Sequence, residues 1–357
     1  MASVPSPARG AGSARGYRRP VLLVATDERF DAHDPGRGHP ERPARLDAVR
    51  DGIGVSGLRD AMVVLPWRQA TRAELERVHT SDHLDAIESL CARGGGRIDA
   101  DTSAAAGSWE AALGAAGAGL AAVDALDRGE GDAAFLAVRP PGHHAVPSRA
   151  MGFCLINNVA VTAAALAARG ERVMVVDWDA HHGNGTQEIF WHDPSVLYVS
   201  LHEWPLYPGT GRLDETGAGA GAGANLNLPL PAGATGDVYL EAMDAVVAPV
   251  AQRFDPTWVL VSAGYDAHRA DPLTGLALAA GDFADLTRRV MGFAPSPGRC
   301  VAFLEGGYDM GALRDGVAAT LGALAGLDVR PEASTAGGPG APVVEAARLL
   351  WEGEHIA

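Results

Sequence analysis

The chain contains no lysine. All 29 basic residues are arginine, set against 44 acidic ones, for a net charge of -15 at pH 7. A surface this acidic argues against a nucleic-acid groove, whose phosphates need a basic patch, and is compatible with cationic substrates. Cysteine is scarce as well. Cys91, Cys154 and Cys300 lie far apart and form no CxxC pair, which excludes a disulfide framework and points to a reducing, cytoplasmic setting. No run of about 18 apolar residues is present to cross a membrane. Residues 1–19, rich in Ala, Ser, Gly, Pro and Arg, lack the apolar segment of a secretory signal and read as a disordered tail.

What is present is ample core material, 47% hydrophobic residues in 357, enough for one large α/β domain or two ordinary ones. Short apolar runs at Val21–Ala25, Ala61–Leu65, Ala133–Val138, Val173–Val176, Val196–Leu201, Trp258–Ser262 and Cys300–Leu304 alternate with helical spacing. The helical stretches include Pro43–Ile53, Ser81–Cys91, Ser108–Leu126, Asn158–Ala168, Asp237–Arg253, Asp282–Met291 and Met310–Leu324. Thr71-Arg-Ala-Glu74 is a capping box opening a helix to about Val78, and Gly94-Gly95-Gly96 closes the helix Ser81–Cys91. This order predicts an α/β fold, a central parallel sheet with helices on both faces. The body runs over 20–326. A loose connection and a C-terminal helix around Val343–Trp351 follow, over 327–357. Gly217–Asn225, reading GAGAGAGAN, is a flexible loop and not a nucleotide site, because no strand leads into it and no helix opens from it.

Chemistry gathers after five of the apolar runs. The first is followed by Arg139-Pro-Pro-Gly-His143-His144, the second by Asp177-Trp-Asp179-Ala-His181-His-Gly-Asn184, the third by Ser200 and His202. The fourth leads to Asp266 and His268, the fifth to Glu305-Gly306-Gly-Tyr308. In open parallel sheets the carboxyl ends of the strands form the ligand-binding edge. Asp179 and His181, two apart in extended backbone, point the same way and supply two ligands of an open metal site. Asp266 is the candidate third, with a helix cap as its alternative reading; His268 and His202 are further candidates. Three protein ligands leave room for water. One of the tandem imidazoles can take the proton from that water and pass it to a leaving amine. Tyr308 can donate a hydrogen bond to a developing oxyanion. Such a site suits amide hydrolysis.

These motifs, with His39-Pro-Glu-Arg-Pro-Ala-Arg-Leu and Met151-Gly-Phe-Cys-Leu-Ile-Asn-Asn, resemble the zinc-dependent histone deacetylases and acetylpolyamine amidohydrolases, in family order from about residue 21 to 325. The resemblance implies the single-domain arginase–deacetylase fold and a catalytic domain over 20–326. It implies zinc on Asp179, His181 and Asp266, with Fe2+ or Co2+ as alternatives, and His143 and His144 as the tandem histidines, partnered by Asp177 and Asn184. The amide at Asn184 is similar to the class II branch; lacking a negative charge, it lets His144 protonate less readily than an acid would. Tyr308 resembles the transition-state tyrosine. Phe153 and Tyr207 match the aromatic walls of an acyl-lysine channel, with Gly152, Gly306, Leu273 and Asp101 also at the substrate. Asp101 reads as a rim acid or, equally, as a helix cap. A structural K+ is implied at Asp177, Asp179, His181, Ser200 and Leu201, and a more peripheral monovalent site near Phe190, Asp193 and Val196. The expected reaction is removal of an acetyl or short acyl group from acyl-lysine, with acetylpolyamine the alternative substrate. The apolar Leu273, where the polyamine-selective member carries an acid, favours lysine. A non-catalytic binder of acylated ligands is the rival class. An arginase-like two-metal site would want Asp-x-His-x-Asp, and Gly183 stands where the second aspartate belongs. Homo-oligomerisation is left open.

Overall fold

Residues 20–353 are described by the computed structural model; the expected N-terminal tail lies outside them. Among the described residues ten strands occur in chain order: β1 Leu22–Ala25, β2 Met62–Val64, β3 Gly95–Arg97, β4 Ser103–Ala105, β5 Ala133–Leu136, β6 Val173–Asp177, β7 Val196–Glu203, β8 Asn225–Leu230, β9 Trp258–Ala263 and β10 Cys300–Leu304. Eight form one sheet in the order β2-β1-β5-β10-β9-β6-β7-β8, and every pairing in it is parallel. The central strands are buried along their whole length, as continuous apolar runs flanked by helices require. The expected α/β architecture is therefore borne out.

The strand order explains how distant segments meet. β5, β10, β9, β6 and β7 are consecutive neighbours in the sheet. They are the five strands whose carboxyl ends carry the polar motifs, so sequence separations of more than a hundred residues collapse into adjacent strand ends.

Several local expectations change. The capping box at Thr71 forms with both reciprocal bonds, but its helix covers only Arg72–Leu75. The triple glycine after the helix Ser81–Ala92 enters β3, which pairs antiparallel with β4. Asn225–Leu230 is the edge strand β8, whose Asn/Leu alternation is a period of two and whose Pro229 sits where an edge tolerates it. The glycine-rich stretch before it holds one short 3-10 turn, Gly219–Gly221. The expected helix over 237–253 is broken in register by a π-helical segment, Met243–Val247. Residues 327–340, expected as a loose connection, have neither helix nor strand, yet are fastened down. Thr335 donates from its amide and hydroxyl to the Asp282 carboxylate, and the amides of Gly337 and Gly338 donate to Asp237 and Thr235. The helix Ala341–Gly353 follows.

Candidate active site and metal centre

β6 ends at Asp177 and β9 at Ala263, so the turns that follow bring Asp179 and His181 against Asp266. One ligand atom from each of the three lies within 4.8 Å of the others. Backbone amides fix both carboxylates: the Gly306 amide donates to Asp179 Oδ2 (2.7 Å), the Ala180 amide to Asp266 Oδ1 (2.8 Å), and the His181 amide also to Asp179 Oδ1 (2.9 Å). Asp179 Oδ1 and Asp266 Oδ2 face His181 Nδ1 at 3.2 and 3.0 Å. Two buried carboxylates aimed at one point repel unless a positive charge sits between them. The same need shows in their protonation. Burial and the Asp179 charge push Asp266 up to about 7. Burial alone would lower His181, but the hydrogen bonds that Asp179 and Asp266 accept from its ring raise it to about 10. One imidazole and two carboxylates, held from behind and presenting one atom each, fit a divalent cation such as zinc, and Fe(II) or Co(II) would suit the donors too.

Gly306 must be glycine here, because a Cβ would stand 2.2 Å from Asp266 Oδ2 and 2.7 Å from Asp179 Oδ2. At Gly183 a Cβ would stand 2.3 Å from Asp177 Oδ2 and 2.4 Å from the Tyr198 hydroxyl. An aspartate has no space there, and among the described residues Asp179, His181 and Asp266 are the one cluster able to hold a metal. The second aspartate of an arginase-type two-metal motif is thus absent, with glycine in its place.

The tandem histidines stand beside this centre with their rings 4.1 Å apart. His143 Nδ1 faces Asp177 Oδ2 at 2.9 Å, and Asp177 also accepts from the Tyr198 hydroxyl and the Asp179 amide. His144 Nδ1 faces Asn184 Oδ1 at 2.8 Å. The two environments drive the rings apart. Burial opposes charge on both, but Asp177 and Asp179 outweigh it at His143 and hold its pKa well above the usual imidazole value. At His144 burial is reinforced by the charges of His143 and His181, and the pKa falls well below that value. An oppositely tuned pair marks acid/base assignments.

A pocket of 210 Å³ opens onto these groups, lined by Asp101, Phe153, Leu206, Tyr207, Leu273 and Tyr308 among others. Tyr207 meets His144 edge-on at 5.1 Å, and Phe153 meets Tyr308 edge-on at 5.7 Å. Gly152 and Gly306 also line it. Leu273 and Tyr207 are the exposed apolar residues at its mouth. Asp101 sits in the β3–β4 turn, where its carboxylate accepts from the Thr102 hydroxyl (3.0 Å). It caps no helix, since the helix Ser108–Asp127 begins at Gly107 without a side-chain cap.

Two candidate ligands lie elsewhere. His202 Nδ1 faces Ser200 and its Nε2 the Gly211 carbonyl, while His268 Nε2 faces Glu332 at 2.6 Å. The positions matched to K+ do gather: Asp177 and Ser200 are register partners across β6 and β7, with buried Leu201 next in line. Asp193, of the peripheral monovalent set, accepts from the Ser195 amide and hydroxyl, and Val196 opens β7.

Three residues were given no role in the sequence analysis. Glu305, fully buried, accepts from the Gly142 amide (2.7 Å) and the His143 amide (3.3 Å), tying the histidine turn to the strand end before Tyr308. Buried Arg45 donates to the Gly307 carbonyl (2.8 Å) and to that of Glu305, and its guanidinium lies 5.1 Å from the Tyr308 ring. Asp271 accepts from the Tyr308 amide (2.7 Å) and the Leu273 amide (3.0 Å). An unpaired acid inside a glycine-rich motif was the only signal for Glu305. The other two act on backbone atoms that a residue pattern does not reveal.

A parallel sheet whose strand ends converge on an Asp-His-Asp centre at the foot of an apolar pocket is the plan of a metal-dependent hydrolase that attacks a carbonyl. Comparison with known proteins narrows this. Residues 39–324 match the histone deacetylase domain. A probable deacetylase of Archaeoglobus fulgidus is 41% identical over 87% of this chain and 88% of its own length. The histone deacetylase-like amidohydrolase of Pseudomonas aeruginosa is 40% identical over 76% of this chain and 73% of its own. The crystal structure of the HDA15 HD domain superposes with a TM-score of 0.86 at 36% identity, covering 93% of this chain and 96% of that one. The chain belongs to the histone deacetylase family.

Proposed function

We propose that this protein is a zinc-dependent deacylase that removes an acetyl or other short acyl group from the side-chain amine of acyl-lysine, working in the cytoplasm with a structural K+ beside the zinc. The observation that carries the reading is the pocket: apolar walls at Phe153 and Tyr207 end on His144, His181 and Tyr308, so an alkyl chain threaded between them delivers its terminal amide to the centre. A cation on Asp179, His181 and Asp266 supplies Lewis acidity toward the acyl carbonyl and water. The chain's own residues do the rest. His144, held neutral, accepts a proton as water attacks and returns it to the leaving amine as the C–N bond breaks; His143, held charged by Asp177, stabilises the negative charge that develops. Tyr308 donates its hydroxyl to the same oxyanion. Three free and buried cysteines fit a reducing setting.

Acetylpolyamine is the second reading, favoured by the net charge of -15 and by Asp101 at the pocket. Leu273 at the mouth gives a polyamine's distal ammonium no partner, which supports lysine. The test is a paired assay of the purified protein on acetyl-lysine peptides and acetylated polyamines, with and without chelator. Hydrolysis of the peptides, abolished by chelator and restored by zinc, is expected. Faster turnover of the polyamines would reverse the substrate order, and tight binding of both without hydrolysis would make the protein a non-catalytic binder.

A further inference from the structure

Beyond the matched domain, which ends at residue 324, one carboxylate reaches back to the active-site loop. Glu332 Oε2 faces His268 Nε2 at 2.6 Å and accepts from the Ala280 amide at 3.0 Å; its Oε1 accepts from Arg269 at 2.8 Å. His268 is 4% exposed, and its Nδ1 accepts from the Ala270 amide (3.1 Å), which leaves Nε2 to donate to Glu332. His268 lies two residues after Asp266 and begins the loop that forms the pocket mouth. Its carbonyl accepts from the Asp271 amide (2.8 Å), and the Asp271 carboxylate then holds the amides of Leu273 and Tyr308. From Glu332 to the mouth the connection is hydrogen-bonded or covalent at every step. The stretch carrying Glu332 is itself anchored through Thr335, Gly337 and Gly338, so the carboxylate is presented from a fixed support.

We propose that Glu332 is a positioning residue for substrate binding: it fixes the loop from His268 to Leu278, and with it the Leu273 edge of the acyl channel. The substrate part of this rests on the deacylase reading above. Leu273 would touch the alkyl chain equally in ground and transition states, so loosening the loop weakens binding without slowing chemistry. Tyr308 keeps its Arg45 neighbour and its edge-on contact with Phe153, neither of which runs through this loop. The two oxygens of Glu332 are not equivalent. The one serving His268 and Ala280 is the positioning oxygen. The other meets Arg269, which is half exposed and contributes little. Glutamine can keep the first oxygen and lose only the second contact.

The experiment compares Glu332→Ala, Glu332→Gln and Arg269→Ala in the full chain, by steady-state kinetics on an acetyl-lysine peptide and by amide hydrogen exchange. Glu332→Ala is expected to raise KM about tenfold with kcat within about twofold and metal content unchanged. It should also speed exchange of amides in 268–278 by roughly an order of magnitude. Glu332→Gln and Arg269→Ala should stay near wild type in both. Unchanged KM and unchanged exchange in Glu332→Ala would overturn the proposal, as would equal damage from the glutamine variant. Should the alanine variant not fold, Glu332→Asp, which withdraws the carboxylate by one methylene, is judged by the same criteria. Hydrogen exchange needs no turnover, so a wild type inactive on acyl-lysine would sink the deacylase reading while the loop assignment still stands or falls by its own measurement.

Discussion

Replacing Tyr308 with phenylalanine removes a single oxygen from a ring whose place is set by other contacts. The backbone amide of Tyr308 is held by Asp271, the ring meets Phe153 edge-on, and the Arg45 guanidinium lies over its face. None of these uses the hydroxyl, so the phenylalanine ring should occupy the same space and the variant isolates the hydroxyl's contribution. Burial raises the phenol pKa well above its usual value, with Arg45 opposing, so the hydroxyl remains a donor throughout the working pH range. Loss of one donor to a developing oxyanion costs about 10²–10³ in kcat, or roughly 2.7–4 kcal/mol of transition-state stabilisation. The loss should appear in kcat and kcat/KM alike, with KM little changed, because the interaction exists only in the transition state. The assay is steady-state hydrolysis of an acetyl-lysine peptide across pH 6–9, with metal measured on the same samples. Turnover within a few-fold of wild type at intact metal content would refute the oxyanion role. A drop accompanied by metal loss would refute the separation of hydroxyl from metal site on which the prediction rests.

Asp266→Ala should leave Asp179 and His181 with no third ligand and lose the divalent ion; full metal occupancy by elemental analysis would rule out ligation by Asp266. Asn184→Asp places a negative charge against His144 Nδ1 and should raise that ring's pKa. Because the neutral ring is the working base, the acidic limb of the kcat/KM profile then moves to higher pH, and an unmoved limb would assign the base elsewhere. Acid should weaken the fold through histidines buried as neutral rings. Burial lowers His79 from 6.5 to about 3 and also lowers His83. The unfolded chain takes up these protons near pH 6.5 while the folded one does not, so stability is full above that pH and declines as pH falls toward the folded values. At pH 5 the loss is roughly 2 kcal/mol for His79 alone. Denaturant titrations at pH 7 and pH 5 measure it, and equal midpoints would contradict the neutral burial.

The parallel sheet was legible because its strands are buried on both faces and so read as unbroken apolar runs. Val173–Val176 and Cys300–Leu304 were placed within a residue of their observed limits. Where a buried strand carries polar side chains the signal failed. β8 alternates Asn with Leu because Asn225 and Asn227 turn their amides to Gln187 Oε1, and that polar alternation at a sheet edge resembles a loop. β3 failed for another reason: two glycines pair it with β4, and a composition that usually ends a helix here begins a strand.

The reacting groups were legible because chemistry restricts them: few residue types ligate a metal or exchange a proton, and five strand ends supplied them together. The sheet order then supplied what a linear string lacks, adjacency, since β5, β10, β9, β6 and β7 are neighbours only after folding. The supporting groups stayed invisible because the contacts that reach the reacting residues are to backbone atoms, although Arg45 also pairs with Glu41 and Glu305 also accepts from the Ser262 hydroxyl. Glu305 acts on the His143 amide, Arg45 on the Gly307 carbonyl and Asp271 on the Tyr308 amide, and every residue type carries such atoms. A side chain that grips another side chain leaves a pair of residue identities to find; one that grips the main chain leaves only its own. The accuracy of this centre therefore depends most on the groups a sequence pattern reveals least. Changes at Glu305 or Asp271 should misplace catalytic atoms while every catalytic residue remains present.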